Sequence, residues 1–237
     1  MSLAQKDMTR KQSNLVKIES VYMHHDFLDN IFNINTLGVY MKPYIHDSAS
    51  VEESVHMGDN VKIWHGCHIR SGCSLDDGVS IGKGSYIDQN VKIGKGSRIQ
   101  NGVNVYAGVN ISDWCFVGPC VVFTNDQFPR VGNKTWQVMK TFVKTGASIG
   151  AGAVVRCGVE LGEFSMIGAG AIVTKSVPPF TLVLGLPAIE TNKICGCGQT
   201  TLPLSAKKDE LLRDCCKERM SDETYEAAQN ILVKLEL

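Results

Sequence analysis

Hydrophobic residues recur at every sixth position through most of this chain. Thirteen consecutive hexads cover residues 45–122 and six more cover residues 143–178, and all nineteen begin with Ile, Val, Leu or Met. A hexapeptide period is typical of a parallel β-helix, in which three hexads form one triangular coil and the coils stack about 4.8 Å apart. The pattern therefore predicts a mainly β fold, a left-handed parallel β-helix over residues 42–180 with about six coils.

The fifth position of every hexad is small, because it is always Ala, Ser, Cys or Val. We expect the first residue to point inward at the middle of each side and the fifth to point inward near a corner. Gly, Asn and Asp are frequent just before the fifth residue and tolerate the unusual φ of a tight corner. The pattern predicts full burial of the residues that open four successive hexads, Ile81, Ile87, Ile93 and Ile99, and a core-filling role for three small corner residues, Cys67, Cys73 and Cys115.

The repeat is interrupted once, by a loop over residues 123–142, and then resumes without loss of register. A loop of this length inside a compact domain is uncommon and is usually functional. Residues 1–41 are interpreted as an N-terminal arm or cap, and residues 181–237 as a C-terminal extension. Apolar residues at roughly helical spacing predict helices in that extension from about Ala206 to Cys216 and from about Asp222 to Leu235.

Charge and cysteine content narrow the possible partners and location. Lys and Arg number 24 and Asp and Glu number 24, so no field of one sign is available to steer nucleic acid or an anionic membrane. No apolar run reaches the roughly 20 residues of a membrane span, and the polar start is not a secretory signal. Nine cysteines, an odd number, favour reduced thiols and a cytoplasmic location.

Several strings in the chain resemble a known family when they are taken in order. They are IWHGCHI (63–69), IQNGVNVY (99–106), GPCVVFTNDQFPR (118–130), VKTGASIGAGAVVRCGV (143–159), GAGAIVTKSVPPFTLVLGLPA (168–188) and CGCG (195–198). The chain resembles the hexapeptide-repeat acyltransferases, and among them the family that N-acetylates nucleotide-linked 3-amino sugars of the UDP-2-acetamido-3-amino-2,3-dideoxyglucuronate or dTDP-3-amino-3,6-dideoxyhexose type. The resemblance implies an acetyl-CoA-dependent N-acetyltransferase in surface polysaccharide (O-antigen) biosynthesis. It also implies a homotrimer, with CoA held between neighbouring prisms.

Amide formation on such a sugar does not require a strong base. A ring amine beside electron-withdrawing carbons should have a pKa of about 7.7–8, so part of it is already neutral at cellular pH. All six histidines lie at or before His68, so the loop histidine of sugar O-acetyltransferases has no counterpart here. The resemblance implies that Asn125 orients the amine and is the catalytic residue. The backbone N–H groups of Gly146 and Ala147 are the candidate oxyanion donors.

The resemblance also implies two sets of binding residues. Those expected to hold the co-substrate acetyl-CoA are Ala151, Ala169, Lys175 and Pro187. Those expected to bind the sugar nucleotide are Asn101, Tyr106, Arg130 and His65. A sugar O-acetyltransferase and a non-catalytic β-helix scaffold remain as alternatives. A γ-carbonic-anhydrase-like metal protein would need metal-binding histidines in the second half of the prism.

Four cysteines near the C-terminus are candidate metal ligands. Cys195 and Cys197 form one pair, and Cys215 and Cys216 form the other. The spacing departs from two C-x-x-C motifs, and adjacent cysteines rarely both reach one tetrahedral metal. The sequence therefore predicts no metal at any site in this chain.

Overall fold

The computed structural model describes residues 41–235, and within them the hexads form a parallel β-helix. Each hexad contributes one short strand, and consecutive strands belong to three different sheets. Strands that are 18 residues apart pair in parallel, so that Ile45 lies beside Ile63 and Ile63 beside Ile81. The predicted fold class is confirmed. The interpretation of residues 1–41 as an arm or cap lies outside the described residues, except for Met41.

The three sheets are the three sides of the prism, and we name them A, B and C in the order in which the chain visits them. Sheet A consists of β1 (Tyr44–Ile45), β4 (Lys62–Ile63), β7 (Ser80–Ile81), β10 (Arg98–Ile99), β13 (Phe116–Val117), β16 (Ser148–Ile149), β19 (Met166–Ile167), β21 (Thr181–Leu184), β22 (Ile189–Ile194) and β23 (Thr201–Leu202). Sheet B consists of β2 (Ser50–Val51), β5 (His68–Ile69), β8 (Tyr86–Ile87), β11 (Asn104–Val105), β14 (Val122–Phe123), β17 (Val154–Val155) and β20 (Ile172–Val173). Sheet C consists of β3 (His56–Met57), β6 (Ser74–Leu75), β9 (Lys92–Ile93), β12 (Val109–Ile111), β15 (Thr141–Val143) and β18 (Glu160–Leu161).

The core of the prism is built from the first and fifth hexad positions, as predicted. Ile81 and Ile87 are 0 % exposed, and Ile93 and Ile99 are 1 % exposed. At the fifth position, Ser and Cys side chains also fill the core, and their polar groups donate to backbone carbonyls. The Ser85 hydroxyl donates to a backbone carbonyl 3.0 Å away, and the Cys67 thiol donates to one at 3.1 Å. The three corner cysteines named above are therefore structural, and burial raises the pKa of the Cys115 thiol to about 12.

The corners require left-handed backbone at the fourth hexad position, and Gly146, at the corner between sheets C and A, shows why some of these positions need glycine. Gly146 has a φ of 72°, and a Cβ on it would lie 2.5 Å from the ring of Phe164 in the coil above. Phe164 itself has a φ of 51°, and its ring stacks on that of Phe180 with centroids 5.3 Å apart. The glycine leaves room for this aromatic stack.

The interruption lies between sheets B and C, at residues 124–140. It is shorter at both ends than the predicted loop, because β14 includes Phe123 and β15 begins at Thr141. The ends of the loop are held together, since the Met139 N–H donates to the Asn125 carbonyl at 3.1 Å. Strand β15 then pairs with β12 directly below it, so the excursion does not disturb the coils.

The C-terminal extension covers the C–A corner. Parallel stacking continues beyond the predicted limit of residue 180, because β21 pairs with β19, and β22 and β23 then add antiparallel strands. A 3-10 turn (Lys208–Glu210) and a short helix α1 (Asp214–Arg219) replace the first predicted helix, whereas helix α2 (Asp222–Lys234) lies where it was predicted. Glu223 of α2 pairs with Lys95 of the prism at 3.0 Å. None of the helices within residues 41–235 is long and apolar enough to cross a membrane.

Candidate functional site

The loop begins at the corner between sheets B and C, and this places Asn125 one residue beyond the position above Tyr106. Asn125 is the second residue after β14 and is half-buried. Tyr106 directly follows β11, the strand paired with β14 from below. Because adjacent strands lie about 4.8 Å apart, Tyr106 lies just beneath the start of the loop. Arg130 is on the same loop and is exposed.

Six outward-facing side chains, with Tyr106 at the top, form a polar and aromatic strip along sheet B. We call this the sheet B strip: Glu52, His68, Arg70, Tyr86, Asp88 and Tyr106. Neighbouring side chains of the strip contact one another. His68 Nε2–H donates to Glu52 at 3.0 Å, and Arg70 donates to Glu52 and to Asp88 at 3.2 Å each. The Tyr86 hydroxyl donates to Asp88 at 3.0 Å, and the rings of Tyr86 and Tyr106 lie 6.1 Å apart.

The two carboxylates of the strip are held in their charged form. The backbone N–H of Ser71, followed by hydrogen bonds from His68 and Arg70, lowers the pKa of Glu52 to about 2. Partial burial acts to raise the pKa of Asp88, but the N–H groups of Gln89 and Ala107 outweigh it, so that the pKa is lowered. At neutral pH the strip therefore presents fixed hydrogen-bond acceptors beside flat aromatic rings.

Sequence reasoning missed most of the strip. It selected His65 instead of His68, although only His68 faces outward on sheet B. The signal was present, because residues 52, 70, 88 and 106 are spaced by 18, and so are residues 68 and 86. Eighteen residues are one full coil, so side chains with that spacing share a face.

Two of the proposed substrate-binding residues lie at a different corner, between sheets A and B. His65 stacks on His46 with ring centroids 3.5 Å apart, and it shares a shallow cavity of 220 Å³ with Asn101. The Asn101 side-chain oxygen accepts from the Lys83 N–H at 2.9 Å. Asp113 makes the same contact with the coil below it, so this contact joins neighbouring coils.

The structure gives no support to the expected oxyanion donors. The Gly146 N–H donates to the Asp113 carbonyl at 2.9 Å, and the Ala147 N–H donates to the Lys144 carbonyl at 3.0 Å. Both groups are therefore engaged within the β-helix. They also lie at the C–A corner, whereas Asn125 lies at the B–C corner of the same subunit.

The candidate CoA-binding residues lie mainly along the A–B corner. Ala151 and Ala169 are exposed there in successive coils, joined by a hydrogen bond of 2.9 Å from Gly170 N–H to the Ala151 carbonyl. Pro187 is exposed in the segment after β21. Lys175 is exposed at the upper end of the B–C corner. Within one subunit, the full width of sheet B therefore separates Ala151 from Asn125.

The four C-terminal cysteines are brought together, and the geometric reason for excluding a metal there is wrong. The four Sγ atoms all lie within 4.8 Å of one another. Adjacent Cys215 and Cys216 both reach the cluster because they lie in the first turn of α1, with Cys195 and Cys197 in the turn facing it.

Comparisons with known proteins agree with the repeat pattern. Residues 44–89 match the family model described as bacterial transferase hexapeptide (six repeats), and residues 72–107 and 146–175 match hexapeptide repeat of succinyl-transferase. The chain is 45 % identical over 58 residues to dTDP-3-amino-3,6-dideoxy-alpha-D-galactopyranose 3-N-acetyltransferase of Aneurinibacillus thermoaerophilus, a match covering 24 % of this chain and 30 % of that relative. It is 33 % identical over 85 residues to serine acetyltransferase of Buchnera aphidicola, a match covering 33 % of each chain.

Solved structures with a similar course of the chain include two acetyltransferases. PerB from Caulobacter crescentus, solved with CoA and GDP-perosamine, is 25 % identical, covers 65 % of this chain and 59 % of its own, and gives a TM-score of 0.43. The acetyltransferase domain of PglB from Neisseria gonorrhoeae is 19 % identical and gives a TM-score of 0.44. The match covers 70 % of this chain and 64 % of that chain. The chain spans about a third of the length of the two curated relatives named above. The hexapeptide repeats of its β-helix match models of bacterial transferase repeats over residues 44–107 and 146–175.

Proposed function

We propose that this protein is an acetyl-CoA-dependent N-acetyltransferase that acts on a nucleotide-linked 3-amino sugar in surface polysaccharide biosynthesis, such as that of O-antigen. The observation that carries the proposal is the position of Asn125 at the start of the loop, one residue beyond the position above Tyr106 at the top of the sheet B strip. The similarity to a dTDP-3-amino-sugar N-acetyltransferase supports the same substrate class.

In the proposed reaction, the neutral sugar amine attacks the thioester carbonyl of acetyl-CoA. The C–N bond forms, the C–S bond breaks, the thiol of CoA leaves, and the amine loses one proton. Asn125 accepts a hydrogen bond from the amine through its side-chain oxygen and so directs the nitrogen lone pair towards the carbonyl. Tyr106 and the charged Asp88 hold the sugar below, which suits a substrate rich in hydrogen-bond donors.

The arrangement of the corners favours a homotrimer. Asn125 and Ala151 lie at opposite edges of sheet B, so a single acetyl group can meet both only if they come from neighbouring subunits. Apolar side chains on the outer faces, such as Phe116, Val122 and Phe142, are 41 %, 43 % and 39 % exposed. Packing of further copies would bury them. Nine unpaired cysteines suit a reducing compartment, and we place the reaction in the cytoplasm.

The test is incubation with acetyl-CoA and a panel of UDP- and dTDP-linked 3-amino sugars, followed by mass spectrometry of the nucleotide sugar. The proposal predicts a mass gain of one acetyl group on at least one 3-amino sugar. The matched 3-hydroxy sugars are the controls and should stay unmodified. Unmodified amino sugars across the whole panel would contradict the proposal.

One observation favours a second candidate, a sugar O-acetyltransferase. His68 is paired with Glu52 at 3.0 Å, an arrangement that orients a general base. However, β5 lies three strands below β14 in sheet B, a distance of about 14 Å. His68 therefore does not reach a sugar group bound next to Asn125 in the same subunit. Acetylation of the 3-hydroxy sugars, lost in His68→Ala, would establish this alternative instead.

A further inference from the structure

The C-terminal extension contains a cluster of four thiols that the proposed acetyl transfer does not use. The Sγ atom of Cys197 lies 3.5 Å from that of Cys195 and 3.6 Å from that of Cys215, and Cys195 lies 4.0 Å from Cys215. Cys216 completes the group, with all four Sγ atoms within 4.8 Å of one another. A disulfide requires about 2.05 Å, so these separations are those of four unbonded sulfurs.

The separations fit a tetrahedral metal ion. Four thiolates at about 2.3 Å from zinc lie about 3.8 Å from one another, which falls within the spread of the three distances above. A set of four sulfurs in tetrahedral geometry selects zinc or iron among the common metals. The surroundings also suit thiolates, because the Thr200 N–H donates to the Cys195 Sγ at 3.2 Å.

We infer that Cys195, Cys197, Cys215 and Cys216 bind one structural zinc ion in each subunit. The turn at residues 195–198 follows β22, which is hydrogen-bonded to the last strand of the prism, and Cys215 and Cys216 belong to α1. The ion would therefore tie the helical extension to the end of the β-helix. The cluster is largely enclosed, since Cys195 is 1 % and Cys216 is 0 % exposed, as expected for a closed structural site rather than a catalytic one.

The first test measures metal in the wild-type protein, purified from zinc-supplemented cells under reducing conditions. Elemental analysis should find about one zinc per chain. Reconstitution of stripped protein with Co²⁺ should give the intense sulfur-to-cobalt charge-transfer bands of a tetrahedral thiolate site. A wild-type protein that holds less than about a tenth of an equivalent of zinc, that holds iron instead, or that gives no such bands with Co²⁺ overturns the inference.

The second test uses variants at the two half-buried cysteines, Cys197→Ser with Cys215→Ser. Zinc should fall from about one equivalent to below about a tenth, and cleavage within residues 195–235 by a dilute protease should become about tenfold faster. Cys120→Ser is the matched control, because Cys120 is an exposed cysteine of the prism, and it should keep its zinc and its resistance. Full zinc content in the double variant would show that the metal is bound elsewhere.

Discussion

Asn125 is the residue on which the proposed chemistry depends most. If it only orients an amine that is already partly neutral, Asn125→Ala should lower turnover by about 30- to 1000-fold, equivalent to about 2–4 kcal/mol of barrier, while CoA still binds. His65→Ala should retain near-normal turnover, because His65 lies at another corner and stacks on His46. Steady-state kinetics together with calorimetric titration of CoA would measure both effects. Near-normal turnover in Asn125→Ala would contradict the assigned role.

Glu52 makes a testable contribution to stability at low pH. Its folded-state pKa is about 2, below the ordinary value of 4.5, so it stabilises the fold when it is charged. This contribution is fully present above pH 4.5 and is lost as the pH falls towards 2. Glu52→Gln should therefore show a weaker decline in stability across that window than the wild type in urea unfolding. Glu53→Gln, at the exposed neighbour, should follow the wild-type profile, and identical profiles for the two variants would refute the prediction.

At the scale of elements, each corner imposes a backbone conformation and some also impose a contact. Gly146 and Gly152 both have positive φ. Of the two, only Gly146 is so placed that an added Cβ would meet a side chain, the ring of Phe164. Gly152→Ala should cost roughly 1–2 kcal/mol from left-handed backbone alone. Gly146→Ala should cost roughly 1–3 kcal/mol more from overpacking. Equal losses in chemical denaturation would mean that Phe164 moves aside freely.

The strands of the prism differ sharply between inward and outward positions. Ile93 is 1 % exposed and its neighbour Lys92 is exposed, although both belong to β9. Ile93→Asp should cost more than about 4 kcal/mol, because it places an unpaired carboxylate in a dry core. Lys92→Asp, the same residue introduced one position away, should change stability by less than about 0.5 kcal/mol. Thermal and urea unfolding of the pair would measure the difference, and similar losses would show that the strand faces are assigned incorrectly.

For the whole molecule, the separation of Asn125 from Ala151 predicts shared active sites. Light scattering should give three times the subunit mass. Asn125→Ala and Ala151→Trp should each have only a small residual activity alone, because one lacks the orienting amide and the other fills the path of the pantetheine arm. Trimers reassembled from equal amounts of both should regain about a quarter of the wild-type activity, since one site in four combines two intact halves. Mixed trimers without activity would place both halves in the same subunit.

The β-helix, the inward positions and the place of the loop could all be predicted from the amino-acid sequence. These features follow from a period of six and from small residues at the corners, which are local properties of the chain. The roles expected of Asn125 and Tyr106 come instead from the resemblance of short strings to a known family. The hydrogen bonds of the Gly146 and Ala147 N–H groups could not be predicted, because a string of letters does not show which carbonyl each one faces.

The contacts between distant residues became visible only in the folded structure. Winding of the coil brings residues 18 apart into the sheet B strip and places Asn125 and Ala151 at different corners. Folding of the extension brings Cys195 and Cys197 against Cys215 and Cys216, although their spacing matches no familiar zinc motif. The physical reason is that a repeat specifies where a side chain points relative to its own coil. Contact between segments also depends on how coils and helices stack.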